Sequence, residues 1–213
     1  MTNYLLSIDP SIKNTGFTLW ENKIPILIES YSFNNKNKVN SIITNNFNDL
    51  INDFIFAMLT VKDNFLDEND INNVLNKLSL IIERGTFHSK NGIGYETQEH
   101  LRGFIAGQFN KLLTKDMLIS NTEWWAYYEE NYKEIIEILT HEIMNNFIKE
   151  NNIKNININK KIYKKWIIYL KKELSFKLAN YLKDNYNWEP IINNHDEADS
   201  LLIGWYYLNK EKK

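Results

Sequence analysis

The stretch YLLSIDPSIKNTGFTLW, residues 4–20, decides the fold. Tyr4 to Ile8 is an apolar run of strand length, ending at Asp9-Pro10 with turn chemistry through Ser11 and Asn14. Thr15 to Trp20 is β-branched and aromatic, the composition that strands prefer. A second turn, Asn22 to Pro25, leads into Ile26 to Phe33. Three short strands separated by tight turns predict an antiparallel meander with an aspartate at the end of its first strand.

Downstream, Ile43, Phe47, Leu50, Ile51, Phe54, Ile55 and Met58 recur at the helical period, which predicts a helix over 40–59. Lys62 to Lys77 is polar and reads as loop. Leu78 to Ile82 is a buried-strand run ending in Glu83, followed by a glycine-bearing loop from Arg84 to Gly94. Tyr95 to Leu113 reads as a helix, and Met117 to Ser120 as a short strand. An acidic helix or helical pair follows over Glu123 to Asn151, then an Asn-rich linker to Asn159 and a basic helical region over Lys160 to Tyr186. Pro190 precedes a last helix, about His195 to Leu208. This order predicts one mixed α/β domain over 1–213, a size that suits a single unit with additions.

With 43% hydrophobic and 14% aromatic residues, the chain can build a packed core. It has no cysteine, which excludes a disulfide scaffold, a thiolate zinc site and a cysteine nucleophile, and fits a reducing cytoplasm. The first residues have no basic flank, and their apolar run is broken by Asp9, so a signal peptide is not expected. No run of about 18 apolar residues predicts a membrane span. The expectation is a soluble, cytoplasmic protein.

The net charge of −2 is unevenly spread. Nine lysines face a single acid, Glu173, between Lys154 and Lys183, so this segment carries about +8 and the remainder about −10. Such segregation can build a phosphate-binding surface on an acidic protein, although a solvated helix face explains it as well. Asparagine is abundant (33 residues) and arginine is confined to Arg84 and Arg102. An AT-rich genome accounts for both, and it weakens lysine richness as a sign of nucleic-acid binding.

Two apolar strands end in an acid, Asp9 and Glu83, which pins each carboxylate to rigid backbone at the sheet edge where α/β folds place sites. Either alone is an ordinary strand terminus. The last helix adds Asp196 and Asp199, three apart and on one helical face. Helix capping covers Asn194, Asp196 and Glu197 without chemistry, but it does not call for Asp199. Converging carboxylates repel by roughly 4 kcal/mol per pair at about 4 Å and an effective dielectric of 20. Cations or protons must neutralise them. Hard oxygen ligands without cysteine favour magnesium, with manganese a substitute, and two such ions can clamp a phosphodiester.

The ordered segments SIDPSIKNTGF (Ser7 to Phe17), LIIERG (Leu80 to Gly85) and HDEADSLLIG (His195 to Gly204) resemble the RuvC-type Holliday junction resolvases. The resemblance covers about residues 3–122 and 160–208. It implies an RNase H-like fold, a mixed central sheet with three antiparallel first strands and flanking helices. It implies catalytic, metal-holding roles for Asp9, Glu83, Asp196 and Asp199, with Gly16 as a structural glycine and two Mg2+ ions. Some relatives carry a histidine at the position of Asp196; here His195 is its neighbour.

The family's aromatic wedge shortly after the glutamate is matched by Phe87, one residue later, with Arg84 and Lys90 as phosphate contacts. Phe87 pinning the loop to the core is the plainer alternative. Lysines that approach the scissile phosphate correspond to Lys164, Lys165, Lys171 and Lys172. A helical insertion, about 124–159, departs from the bacterial enzymes; its face of Ile135, Ile138, Leu139, Ile143 and Phe147 reads as core cover. The implied function is magnesium-dependent resolution of four-way DNA junctions by a homodimer. Its dimer helix would be Tyr95 to Leu113, offering Leu101, Phe104, Ile105, Phe109 and Leu112; Gly103 and Gly107 would permit close approach, though core packing explains them as well. The same acids would serve a nuclease of flaps, loops or RNA–DNA hybrids. An actin-like ATPase lobe needs a second lobe, and a non-catalytic DNA-binding scaffold needs none of the four acids.

Overall fold

A computed structural model describes residues 4–11, 14–32, 77–85, 92–151, 153 and 160–210. The helix expected over 40–59, nearly all of the following loop, Phe87 and Lys90 lie outside the described residues. The chain is α/β, with strands β1 (Tyr4–Asp9), β2 (Asn14–Glu21), β3 (Ile24–Ser32), β4 (Leu78–Arg84) and β5 (Leu118–Ser120). Its helices are α1 (Gly92–Gln108), α2 (Asn121–Asn131), α3 (Lys133–Glu150), α4 (Lys160–Tyr186) and α5 (His195–Asn209). The strands form one mixed sheet in the order β3-β2-β1-β4-β5. β2 runs antiparallel to both of its neighbours, β1 and β3, whereas β4 and β5 continue parallel to β1.

The expected meander is therefore present. Its second turn has two residues, Asn22 (φ 49°) and Lys23 (φ 71°), and positive φ at both matches the twist of a tight hairpin. Pro25 sits on β3, an edge strand, where a missing N–H is tolerated.

Side-chain alternation assigns the two sheet faces. Tyr4, Leu6 and Ile8, with Leu78, Leu80 and Ile82, pack against Leu101 and Ile105 of α1 and Phe109 just beyond it. Leu5, Trp20 and Ile81 belong to a second core shared with α2, α4 and α5. Among the described residues, no helix is long and apolar enough to cross a membrane.

The α1 helix stops at Gln108, five residues before the expected end at Leu113. Asn110 takes φ 52°, and Lys111 N–H and Asn110 N–H return to the carbonyls of Ala106 and Gly107. This left-handed cap ends the helix despite the apolar pattern that continues beyond it. Asn187 ends α4 in the same manner.

Among the described side chains, the apolar face of α1 is turned mainly to the sheet. Leu101, Ile105 and Phe109 are buried against the sheet, Phe104 is half-buried beside them, and Leu112 is exposed outside the helix. Gly103 and Gly107 are exposed, with nothing near a Cβ built on either.

The acidic segment is a helical pair broken at Tyr132, and α2 begins three residues before the expected insertion. Trp124 and Tyr128 of α2 are fully buried, and the Tyr128 hydroxyl donates to the Leu202 carbonyl at 2.7 Å. The inserted face acts as core cover at Ile143 and Phe147, while Ile138 remains exposed.

Candidate carboxylate site

The parity of the strands brings the first two acids together. Asp9 lies two residues beyond Ser7, and Glu83 two beyond Ile81, so both point to the face covered by α5. β1 and β4 are parallel with Ile8 opposite Ile82, which sets Asp9 beside Glu83 on strands about 4.8 Å apart. Glu83 lies close enough to Asp9 for its carboxylate to raise that group.

The first turn of α5 supplies the other two acids. Asn194 caps it, its Oδ1 accepting from Glu197 N–H at 3.0 Å, as the sequence predicts. The buried Glu197 carboxylate accepts from Asn193 N–H (2.6 Å), Asn194 Nδ2 (2.7 Å) and Ser30 Oγ (2.9 Å). Glu197 is thus a satisfied structural acid. Asp196 accepts from Asn14 Nδ2 at the start of β2.

Gly16 permits this docking: a Cβ there would stand 1.9 Å from the Asp196 carbonyl oxygen. Only a residue without a side chain lets the helix start settle against β2.

Burial raises Asp9 well above the usual carboxylate range, and the charges of Glu83, Asp199 and Asp196 raise it further. Asp199 is raised to about 7, first by burial and then by Glu83 and Asp196, against the lowering effects of the Ser175 hydroxyl and the Lys172 ammonium. Glu83 and Asp196 therefore act on both Asp9 and Asp199. The Asp199 Oδ1 is shielded from solvent and has no hydrogen-bond partner. An unpartnered oxygen amid mutually repelling carboxylates is what a hard cation relieves.

Asp9, Glu83, Asp196 and Asp199 are the ligands that the sequence reading expects for such an ion. Among the described residues, no three acids or histidines already converge as a preformed metal cage. Asp9 and Asp199 feel the other carboxylates as repulsion, and an oxygen-only donor set would suit magnesium better than zinc.

Four supporting residues escape a sequence reading. Asn121 Nδ2 and Trp124 Nε1 each donate to Glu83 Oε1 at 3.1 Å. Their signal is the capping box Ser120-Asn121-Thr122-Glu123, which starts α2 directly after β5, where Ile119 pairs with Glu83. The buried Arg102 donates from Nε to the Glu83 carbonyl at 2.6 Å and pairs with Glu99 at 3.0 Å. A lone arginine beside the apolar face of α1 is its only trace in the sequence. Asn14 has none beyond its place in the turn.

Of the candidate lysines, Lys172 is the one whose charge reaches Asp199. Lys171 borders a neighbouring groove. Lys164 and Lys165 lie exposed further along α4, with Lys165 Nζ donating to Asn151 at 2.5 Å. Arg84 is exposed and influences Glu123 of α2. His195 faces Glu173 at 3.9 Å and packs edge-on against Phe176; its Nδ1 is buried without a partner. Comparison with family models, curated proteins and solved structures finds no match for this chain.

Proposed function

We propose that this chain is a magnesium-dependent endonuclease with an RNase H-like fold that resolves four-way DNA junctions. The observation that carries the reading is the gathering of Asp9, Glu83, Asp196 and Asp199 from β1, β4 and α5, with Asp9 and Asp199 raised by burial and by neighbouring carboxylates. The sheet order, with three antiparallel strands followed by two parallel ones, agrees with the fold that the resemblance implies. A pair of Mg2+ ions, with Mn2+ as a substitute, supplies an activated water on one side of a phosphodiester and charge stabilisation on the other.

The chain's own residues supply the rest. Asp9 and Glu83 offer oxygens on rigid strands, and Asn121, Trp124 and Arg102 fix Glu83 at side chain and backbone. Lys172 faces the acids with a single positive charge, suited to a phosphate oxygen beside them. Lys164, Lys165 and Lys171 extend that charge along α4.

The test is incubation of purified protein and Mg2+ with four-way, flap, loop, duplex and RNA–DNA hybrid substrates. Symmetric nicks on two opposing strands of the four-way substrate, from a dimeric complex, are expected. Cleavage confined to flaps, loops or hybrids keeps the chemistry and rejects junction resolution. A complete lack of cutting rejects the nuclease.

A further inference from the structure

Beside the acids, a groove of about 370 Å3 opens between α2, α3 and α4. Asn121, Trp125, Ala126, Glu129, Lys171 and Leu174 are among its lining residues. We infer that this groove receives one unpaired nucleotide of the strand held at the carboxylate site, with the base against Trp125 and the adjoining phosphate at Lys171. The inference rests on the nuclease reading for its substrate class and adds a subsite to it.

Three observations carry it. First, the groove is continuous with the site, because Asn121 lines it and also donates to Glu83 Oε1 at 3.1 Å. Second, its aromatic wall is braced. The half-buried Trp125 ring stacks on Trp124 with centroids 4.9 Å apart at 27°, and the buried Trp124 is itself tied to Glu83. An indole held in this way is a rigid platform for a base, since every base presents a π-face. Third, the polar lining matches a nucleotide. The Lys171 ammonium suits a phosphate, Asn121 offers an amide, and the Glu129 carboxylate can accept from the exocyclic amine of cytosine or adenine. An extended apolar peptide would leave Lys171 and Glu129 without use. A base leaves duplex stacking at modest cost only where pairing is interrupted, so the groove favours branched over continuous DNA.

The full chain is titrated, in Ca2+ to separate binding from cutting, with a 12-nucleotide single strand carrying one 2-aminopurine and with a blunt duplex carrying the same base. Binding of the single strand should quench 2-aminopurine emission. Trp125→Ala should weaken single-strand affinity about tenfold, the scale of one lost base–aromatic stack, and remove the quench. Trp125→Phe should retain both. Ala126→Phe, at an exposed lining position, fills the groove without opening the core and should reproduce the loss even if Trp125→Ala folds poorly. Duplex affinity should stay within about twofold throughout.

Single-strand binding indifferent to both Trp125→Ala and Ala126→Phe overturns the groove assignment. Cleavage of a four-way junction in Mg2+ is scored separately. Wild-type protein that quenches but never cuts refutes the nuclease and keeps the nucleotide groove. Protein that cuts while both variants bind normally keeps the nuclease and refutes the groove.

Discussion

Two polar regions lie on the same face of the sheet, both built where α5 meets the strands, and they differ in how their polar atoms are satisfied. Along the middle of α5, Ser7 Oγ donates to the Ser200 carbonyl at 2.7 Å and accepts from Trp20 Nε1 at 2.9 Å. Thr18 Oγ1 and Ser200 Oγ share a hydrogen bond at 2.8 Å. These groups are neutral, fully buried and paired. One end of the same interface holds Asp9, Glu83, Asp196 and Asp199, which repel one another and leave Asp199 Oδ1 without a partner. The first region obeys the rule that buried polar groups find partners, and it holds the helix to the sheet. The second breaks that rule, and departures of this kind concentrate where a fold does chemistry.

Substitution should separate the two regions most sharply. Asp9→Asn, Glu83→Gln and Asp199→Asn should each lower junction cleavage by roughly 10²-fold or more, the scale of lost transition-state stabilisation. DNA binding should be retained, and the metal-free melting temperature should not fall. More than a few per cent residual cleavage in any of the three would falsify the site assignment. Asp196, held by Asn14 at the helix start, should show a smaller loss.

The seam should behave in the opposite way. Gly204→Ala places a Cβ 2.2 Å from Trp20 Nε1 and 2.4 Å from Ser7 Oγ, in a core with no room to give. It should cost about 1–3 kcal/mol or more in denaturant unfolding, with cleavage per folded molecule little changed. Ser7→Ala leaves the Trp20 N–H buried and unpaired and should cost about 1–3 kcal/mol. Wild-type stability in both variants would show that the seam does not hold α5.

Acidity distinguishes the regions by a second route. Asp199 is raised to about 7 and Asp9 is also raised, so in the folded chain both hold protons that the unfolded chain has already released. The metal-free protein should therefore be most stable near pH 4–5 and lose stability as pH rises through about 7, where the buried carboxyls must ionise. Melting in EDTA should fall by several degrees over that window, Mg2+ should restore it, and Asp199→Asn should flatten the curve. A melting temperature that climbs from pH 5 to 8 in EDTA contradicts this electrostatic picture.

The smallest effects belong to the exposed lysines. Lys164→Ala with Lys165→Ala should shrink the slope of log affinity against log salt by about 1–2 and leave the cutting rate of bound substrate alone. Lys172→Ala should reduce that rate as well, because its charge reaches the acids. Equal effects from all of these lysines would erase the distinction between α4 near the site and α4 remote from it.

Strand and helix types are legible in the sequence, since period and punctuation are local properties. The IDPS turn ends β1 at Asp9, the LSLIIE run ends near Glu83, and Asn194 with Glu197 starts α5 at His195 as expected. It also separated Asp199 from its capped neighbours, because the cap explains Glu197 and leaves Asp199 unexplained. Tertiary structure decided what local pattern cannot carry. Parallel pairing set Asp9 beside Glu83, and the reason for Gly16, the close approach of the α5 start, is visible only once the helix docks. Asn121, Trp124 and Arg102 reach Glu83 from 38, 41 and 19 residues away in the chain. An asparagine cap overrode the apolar pattern at the end of α1, whose described apolar side chains pack on the sheet. Hydrogen bonds and repulsions between distant residues depend on register and on closeness of approach, and both are fixed only when the layers pack.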